Sequence, residues 1–370
     1  MTYQLETQLA QAGNRSDAAT GAVSLPIHLS TAYIHPGIGQ STGYDYSRTA
    51  NPTRTALEQA LATLEHGDHG FAFSSGMAAV HAVLQLFRTG DELIVSEDLY
   101  GGSYRLFHQL EERTGLRFRY VDTTELSAIS KAVTDATKAI FIESPTNPLM
   151  KETDIKAVAE IAKKNGLLLI VDNTFYTPIL QQPITLGADI VLHSATKYLG
   201  GHNDVLAGAV ITKGEELGEQ LRVIQNSIGA VPSPLDCWLL VRSLKTLALR
   251  VEKQQENARL LAAFLKEHPA IDSVLYPGKG GMLSFRLKEA EWVPPFLESL
   301  QLIAFAESLG GVESFITYPT TQTHADIPEA ERERVGICSR LLRFSVGIEH
   351  IEDLKQELKT ILDAWVGVPR

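Results

Sequence analysis

An acid and a lysine stand just beyond two consecutive apolar runs of the chain. Asp172 directly follows the run 167–171, and Lys197 stands four residues after the run 190–193. If both runs are parallel strands, their carboxyl ends meet at the edge of the sheet where ligands bind. A lysine at such an edge becomes nucleophilic once a partly desolvated site lowers its pKa. Taken singly, Asp172 also suits a helix N-cap or a turn, and Lys197 also suits a solvated surface position.

The two residues together match the needs of pyridoxal phosphate, which requires a lysine for a Schiff base and an acid at the pyridinium nitrogen. The cofactor also needs a phosphate cradle. Ser75 and Gly76 form a strand-to-helix turn, and the N-terminus of a helix suits an anion. Ser194 and Thr196 add hydroxyl groups beside the lysine. Most Ser-Gly turns bind nothing, so this turn predicts a phosphate site only together with the acid and the lysine.

The predicted elements that position these residues alternate between strands and helices. Continuous apolar runs at 139–143, 167–171 and 190–193 are typical of strands buried on both faces of a parallel sheet. A helix from Asp154 to Asn165 joins two of them, with Gly166 as its C-terminal cap. Further strand and helix patterns precede them at 55–64, 71–74, 78–87, 92–96, 104–114 and 117–121. The series predicts a doubly wound α/β domain.

Three regions follow from this pattern. Residues 1–54 are rich in turn formers and predict an arm, and residues 55–230 form the large domain. A proline-containing break at 231–234 then opens a smaller α+β domain that extends to residue 370. The smaller domain begins with one long helical stretch, 235–268. It continues with strands at 284–287 and 342–346 and a helix at 352–365.

One segment resembles a family signature. Residues 189–203, from Asp189 to Asn203, resemble the lysine signature of the Cys/Met-metabolism enzymes, which are fold-type I pyridoxal phosphate proteins. Five other segments are similar to family segments and stand in family order: 44–53, 75–78, 98–102, 143–148 and 341–349. The resemblance covers the whole chain. It implies fold type I, with a mainly parallel sheet in the large domain, and pyridoxal 5'-phosphate as cofactor.

The resemblance also implies a role for each matching residue. Lys197 would form the Schiff base and shuttle protons, Asp172 would pair with the pyridine nitrogen, and Tyr100 would stack on the ring. Asn147 would lie near the ring. The phosphate would be held from within the same subunit by Gly76, Met77, Ser194 and Thr196. The arm would deliver Tyr46 and Arg48 to the phosphate of a neighbouring subunit, within a homotetramer made of two dimers with shared active sites.

Substrate contacts are implied in the smaller domain. Arg343 would clamp the substrate α-carboxylate with two parallel hydrogen bonds, which suits a guanidinium group. A surface salt bridge is the alternative for Arg343, although an apolar strand pattern surrounds it. The segment 310–315 is similar to one that carries a glutamate near the distal end of the substrate, so Glu313 and Ser314 are substrate-binding candidates. Glu313 could otherwise be a solvated acid at a strand edge.

Family members share this site and differ in the bond that they break. The chain is most similar to those that join cysteine to an O-acylhomoserine and make cystathionine for methionine biosynthesis, with O-acetylhomoserine thiol-lyase activity beside it. Cleavage of cystathionine at Cγ or Cβ is the alternative. A non-catalytic pyridoxal-binding protein would keep Lys197 and Asp172 but would not need Arg343. The chain has neither GxGxxG after its first strand nor GxxxxGK[ST], which argues against a dinucleotide oxidoreductase and a P-loop NTPase.

Composition restricts the partners to small molecules. The chain has 370 residues and a net charge of −11, and such an acidic surface repels nucleic acid and anionic lipid. Cys237 and Cys338 are the only cysteines and form no CxxC pair, so we expect no metal site and no disulfide framework. The first 30 residues show no secretion signal, and no apolar run is long enough to span a membrane, so we expect a cytoplasmic protein.

Overall fold

Two β-sheets organise residues 3–365, the part of the chain that the computed structural model describes. The larger sheet has seven strands: β1 (His69–Phe73), β2 (Glu92–Ser96), β3 (Arg117–Val121), β4 (Thr137–Glu143), β5 (Leu168–Asp172), β6 (Ile190–His193) and β7 (Gly208–Thr212). Their spatial order is β1-β7-β6-β5-β4-β2-β3. Strands β6, β5, β4, β2 and β3 run parallel, and β7 is antiparallel to both of its neighbours. The predicted mainly parallel sheet is confirmed.

The smaller sheet has five strands: β8 (Ile271–Leu275), β9 (Met282–Leu287), β10 (Ala304–Phe305), β11 (Phe315–Thr317) and β12 (Leu341–Ser345). Helices flank the two sheets: α1 (Leu5–Ala10), α2 (Pro52–Leu64), α3 (Gly76–Leu84), α4 (Gly101–Thr114), α5 (Leu126–Ala132), α6 (Ile155–Asn165), α7 (Thr177–Leu180), α8 (Glu215–Ile228), α9 (Pro234–Leu244), α10 (Leu247–Glu267), α11 (Val293–Glu298), α12 (Glu329–Val335) and α13 (Ile351–Asp363). No helix within residues 3–365 is long and apolar enough to cross a membrane.

The strands of the larger sheet are apolar on both faces because both faces are covered by helices. Successive residues of β5 enter different cores: Leu169 and Val171 pack in one cluster, and Ile170 packs in the other. One cluster includes side chains of α2, α6 and α9, and the other includes side chains of α3, α4 and α8. This arrangement accounts for the continuous apolar runs and fixes which residues emerge at the carboxyl edge of the sheet.

Helix α10 joins the two halves of the molecule. Its first turns contribute Leu247 and Val251 to a core of the larger sheet, and its later turns contribute Leu261 and Leu265 to the core of the smaller sheet. The single long helix predicted for 235–268 is instead two helices, α9 and α10, and α9 packs against α2. The change from one core to the other therefore falls within α10, after the proline break at which the sequence placed the domain boundary.

A buried arginine helps to hold the arm to the body of the molecule. Arg54, on α2, donates to the backbone carbonyl groups of Ser47, Arg48 and Thr49 at 2.7, 3.1 and 2.9 Å. Leu9 and Leu25 of the arm are also buried in a core of the larger sheet. Other large apolar side chains of the arm are exposed: Val23, Leu29, Ile34 and Ile38.

Candidate active site

A cavity of about 230 Å³ lies where the carboxyl edge of the larger sheet meets the smaller domain. It is lined by most of the residues that the sequence singled out: Gly76, Met77, Tyr100, Asn147, Asp172, Ser194, Thr196, Lys197 and Arg343. Glu143 ends β4, Asp172 ends β5, and Lys197 follows β6. The carboxyl ends of three neighbouring parallel strands therefore place these three side chains around one cavity. The prediction that the strand ends converge is confirmed.

The surroundings of Lys197 disfavour the protonated form of its amine. Burial, followed by the positive charge of Arg343, lowers its pKa to about 8, and Glu307 opposes the shift. Its Nζ donates to Ser308 Oγ at 2.9 Å. About a tenth of the amine is therefore neutral at pH 7, far more than for an ordinary lysine, and the neutral amine is the nucleophilic form.

Asp172 is a carboxyl group that lacks a strong cationic partner. Burial raises its pKa, and the hydrogen bonds from Thr174, together with the nearby His193, only partly oppose that shift. The backbone N–H of Thr174 donates to Asp172 Oδ1 at 2.9 Å. A protonated ring nitrogen in the cavity would supply the positive charge that favours the ionised carboxylate.

A buried network below the cavity ties the ends of β5 and β6 together. Glu65 Oε1 lies 2.6 Å from His193 Nε2 and accepts from Asn173 Nδ2 at 2.8 Å. All three residues are at most 2% exposed. Because Asn173 follows Asp172 and His193 precedes Ser194, the network fixes the two strand ends that carry the acid and one wall of the anion cradle.

The anion cradle is formed by the start of α3 and the turn after β6. Ser75 caps the helix, since its Oγ accepts from the N–H of Ala78 at 3.0 Å, and the N–H groups of Gly76 and Met77 remain for an anion. A Cβ on Gly76 would lie 2.9 Å from Ser194 Cβ, so only glycine allows this approach. Thr196 also lines the cavity, although its hydroxyl already bonds to the backbone of Ala207.

Tyr100 stands at the N-cap of α4 and borders the cavity. Its backbone N–H donates to Glu143 Oε2 at 3.0 Å, and a Cβ on Gly102 would overlap its ring. Burial and the charge of Asp172 raise the pKa of Glu143 well above its usual value. The ring of Tyr100 is thus held over the first turn of α4 by a fixed backbone contact, as stacking on a planar ligand requires.

Arg343, on β12, is the most deeply buried cation of the site at 1% exposed. Its Nη1 donates to Asn147 Oδ1 at 3.0 Å, and its Nη2 donates to Ser308 O at 3.0 Å and to Thr317 Oγ1 at 3.1 Å. Burial lowers its pKa to about 10, so the group keeps its charge at neutral pH. Its Nε has no hydrogen-bond partner within residues 3–365, which leaves donor capacity for an anion.

Four candidates lie outside the lining of the cavity. Arg48 donates to the carbonyl oxygen and Oδ1 of Asn226 on its own chain, with Tyr46 beside it. Glu313 Oε2 accepts from Asn203 Nδ2 at 2.7 Å. The Oγ of the fully buried Ser314 donates to Glu349 Oε2 at 2.9 Å.

Three residues that sequence reasoning missed line the cavity instead: Glu307, Ser308 and Thr323. All three belong to irregular segments of the smaller domain, where no periodicity marks the residues that face inward. The dipeptide Glu-Ser stands at 307–308 and again at 313–314, and the family resemblance pointed to the second of these pairs.

The residues present fit pyridoxal phosphate. A low-pKa lysine can hold it covalently, Asp172 can face its ring nitrogen, and the tight approach of Gly76 to Ser194 brings the start of α3 beside the turn after β6 as a cradle for the phosphate. The fold and the site together define an enzyme class, the pyridoxal phosphate-dependent enzymes of fold type I.

Comparison with known proteins agrees. The chain belongs to the Cys/Met metabolism PLP-dependent enzyme family, whose model matches residues 6–363. A cystathionine γ-synthase/O-acetylhomoserine (thiol)-lyase of Bacillus subtilis is 63% identical over 98% of this chain and 97% of its own. A cystathionine γ-synthase of Haemophilus influenzae is 60% identical over 96% and 97%. The crystal structure of cystathionine γ-synthase from Xanthomonas oryzae with aminoacrylate and cysteine matches with a TM-score of 0.96 and 41% identity, over 98% of each chain.

The lowered pKa of Lys197 predicts how cofactor attachment depends on pH. Protein freed of cofactor should combine with pyridoxal phosphate at a rate that rises with pH and levels off just above pH 8, since the neutral amine attacks and Lys197 titrates at about 8. The visible absorption of the bound cofactor measures the rate. A small lysine derivative under the same conditions corrects for titration of the cofactor, and Lys197→Ala gives the background. A corrected rate that keeps rising to the ordinary lysine pKa of about 10.4 would contradict the assignment.

Proposed function

We propose that the protein is a cystathionine γ-synthase that replaces the acyloxy group of an O-acylhomoserine with the thiol sulfur of cysteine. A C–S bond forms at Cγ, the C–O bond there breaks, the acyl group leaves as a carboxylate, and the thiol proton passes to solvent. The observation that carries the proposal is the placement of Lys197, Asp172 and Arg343 around one cavity, in a chain at least 60% identical to two γ-synthases. The same site would accept sulfide in place of cysteine, as a thiol-lyase does.

Bound pyridoxal phosphate supplies a ring that accepts electrons when a proton leaves the substrate Cα. Lys197 Nζ would hold the cofactor and, once released by the substrate amine, would take the Cα proton. Asp172 would keep the ring nitrogen protonated, and Tyr100 would cover the ring. The start of α3 and Ser194 would hold the phosphate. These roles agree with the pKa shifts of Lys197 and Asp172 and with the position of each residue on the lining of the cavity.

Arg343 would orient the substrate through its α-carboxylate. The guanidinium is fixed by Asn147 from the large domain and by Ser308 and Thr317 from the smaller one, so it needs little reorganisation when an anion arrives. A lysine could not reproduce these contacts, because an ammonium lacks the planar fork of donors. Orientation of the carboxylate presents the Cα proton to Lys197, which lines the same cavity.

The product identifies the reaction. Purified protein with O-acetyl- or O-succinylhomoserine and cysteine should form cystathionine, and sulfide in place of cysteine should yield homocysteine. Chromatography of the amino acids measures both, with Lys197→Ala as the inactive control. Rapid cleavage of cystathionine with no synthesis from either ester would instead make the protein a lyase.

We propose that Glu307 recognises the ammonium group of the incoming cysteine. Glu307 lines the cavity and acts electrostatically on both Lys197 and Arg343, whereas Glu313 is bonded to Asn203 outside the lining. Replacing Glu307 with Gln should raise KM for cysteine about tenfold, equivalent to 1.4 kcal/mol. KM for sulfide should not change, because sulfide has no ammonium group.

Glu313→Gln is the matched control and should leave both values near those of the wild type. The sequence resemblance favoured Glu313 instead. If Glu313→Gln raises KM for cysteine and Glu307→Gln does not, that earlier prediction holds and the role of the cavity glutamate is refuted.

We further propose a cytoplasmic homotetramer in which each active site is shared by two subunits. Tyr46 is 49% exposed and, with Arg48, lies outside the cavity of its own chain. Both residues sit on the arm, whose exposed apolar side chains need a covering surface. Arg54 fixes the backbone of the turn that carries Arg48, which suits delivery of a guanidinium to a neighbouring phosphate.

Mixing two inactive variants tests the shared site. Lys197→Ala and Arg48→Ala should each be nearly inactive, while hybrid dimers should contain one site with both residues intact. An equal mixture should regain about a quarter of the wild-type rate, since half of the dimers are hybrids with one good site of two. Native mass spectrometry verifies hybrid formation. Proven hybrids that stay as inactive as their parents would show that Arg48 acts within its own chain.

A further inference from the structure

His324 is a fully buried histidine in the irregular segment between β11 and α12, outside the lining of the cavity. Its neighbour Thr323 does line the cavity. The two residues pack on the first turn of α4, where a Cβ on Gly101 would overlap the carbonyl oxygen of Thr323 and lie 3.2 Å from His324 Cα. His324 therefore sits directly behind the wall that carries Tyr100.

Both ring nitrogens of His324 have defined partners. Nε2 lies 2.9 Å from the carbonyl oxygen of Asn147, and Nδ1 lies 2.8 Å from Thr323 Oγ1. A carbonyl oxygen only accepts, so Nε2 carries the hydrogen. In the neutral ring Nδ1 then accepts the hydroxyl hydrogen of Thr323. Thr323 consequently turns its oxygen lone pairs, and not its hydrogen, away from His324.

Burial, helped by nearby positive charges, keeps the ring of His324 neutral. Burial is the main reason that the pKa of His324 is lowered to about 4, and the guanidinium groups of Arg343 and Arg332 lower it further. The carbonyl oxygens of Asn147 and Leu99 oppose that shift. The ring thus remains a donor at Nε2 and an acceptor at Nδ1 across the neutral pH range.

The contacts form a chain from one domain to the other. His324 holds the backbone carbonyl of Asn147, and the side-chain Oδ1 of Asn147 accepts from Arg343 Nη1 at 3.0 Å. We propose that His324 is a positioning residue, which fixes Asn147 and through it sets the guanidinium of Arg343 for the substrate α-carboxylate. This inference rests on the carboxylate-binding role proposed above for Arg343.

A positioning role differs from simple filling of space, because it depends on a donor at the Nε2 position. Gln at position 324 can place an amide N–H near that position, whereas Asn is too short to reach it. Leu fills a similar volume and removes both hydrogen bonds. Loss of the donor leaves the buried carbonyl of Asn147 without this partner, which favours displacement of the residue that orients Arg343.

Two amine ligands separate the carboxylate clamp from the rest of the site. L-2-aminobutyrate keeps the α-carboxylate but has no leaving group at Cγ, and n-propylamine has neither. Titration of the holoenzyme, followed by the absorption of its cofactor, gives a dissociation constant for each. In His324→Leu and His324→Asn we expect the dissociation constant of L-2-aminobutyrate to rise about tenfold and that of n-propylamine to change less than about twofold. In His324→Gln both dissociation constants should stay within about threefold of the wild-type values.

His268→Gln is the matched control, because His268 is also a buried histidine outside the lining of the cavity. Its ring is hydrogen-bonded to Asp363, which is not among the contacts proposed for His324. His268→Gln should change neither constant. The proposal is overturned if His324→Leu and His324→Asn bind both ligands more weakly than the wild type does and to the same extent. It is also overturned if His324→Gln binds L-2-aminobutyrate as weakly as His324→Leu does. If the Leu variant does not fold, the Asn and Gln variants decide by the same criteria.

Failure of this inference can be distinguished from failure of the proposed function. The wild-type protein in the same experiment is assayed for cystathionine formation, which does not depend on any His324 variant. Arg343→Ala is titrated beside them with L-2-aminobutyrate. If Arg343→Ala binds the amino acid as tightly as wild type does, the clamp itself is refuted, and the role of His324 falls with it.

Discussion

Burial of charge at the boundary between the two sheets is the constraint on which the site depends. Loss of solvent is the leading cause of the pKa shifts of Lys197, Asp172, Glu143 and Arg343. A buried charge is tolerated only when other groups hydrogen-bond to it or balance it. The cavity therefore needs partners from several strands and from both domains. The same desolvation that favours the neutral, nucleophilic form of Lys197 also requires Arg343 to have three hydrogen-bond acceptors around it.

The close approach of backbone to backbone at the anion cradle follows from the same constraint. A Cβ on Gly208, at the start of β7, would overlap the carbonyl oxygen of Ser75, so β7 can pass directly beneath the turn that opens α3. Thr196 bonds to Ala207, the residue before β7, and this joins the turn after β6 to the same strand. The antiparallel strand β7 thus supports both walls of the cradle, although it supplies no charged group to the cavity.

The sequence predicted those elements whose residue pattern lies within the element itself. Strands β2, β3 and β6 have the predicted bounds, because each is a short apolar or alternating run between polar turns. The strand β7 was missed because it begins Gly-Ala, and α1 was missed within an arm rich in turn formers. Lys197 and Asp172 could be found because strand ends have a known place in a parallel sheet. Glu307, Thr323 and His324 could not, since irregular segments reach the cavity only through tertiary packing.

The binding residues are distributed over both domains, so substrate binding depends on the relative position of the two domains. The residues that would hold the cofactor lie on the large domain, while Arg343 lies on β12 of the smaller one. The loop after β4 joins them, since Asn147 accepts from Arg343 and the carbonyl of Pro148 accepts from Ser284 on β9 at 2.7 Å. An error in the seating of this loop would move the carboxylate clamp relative to Lys197 without disturbing either sheet. Accurate alignment of the Cα proton with the lysine thus depends on a few buried hydrogen bonds across the boundary, and less on the cores that stabilise each domain.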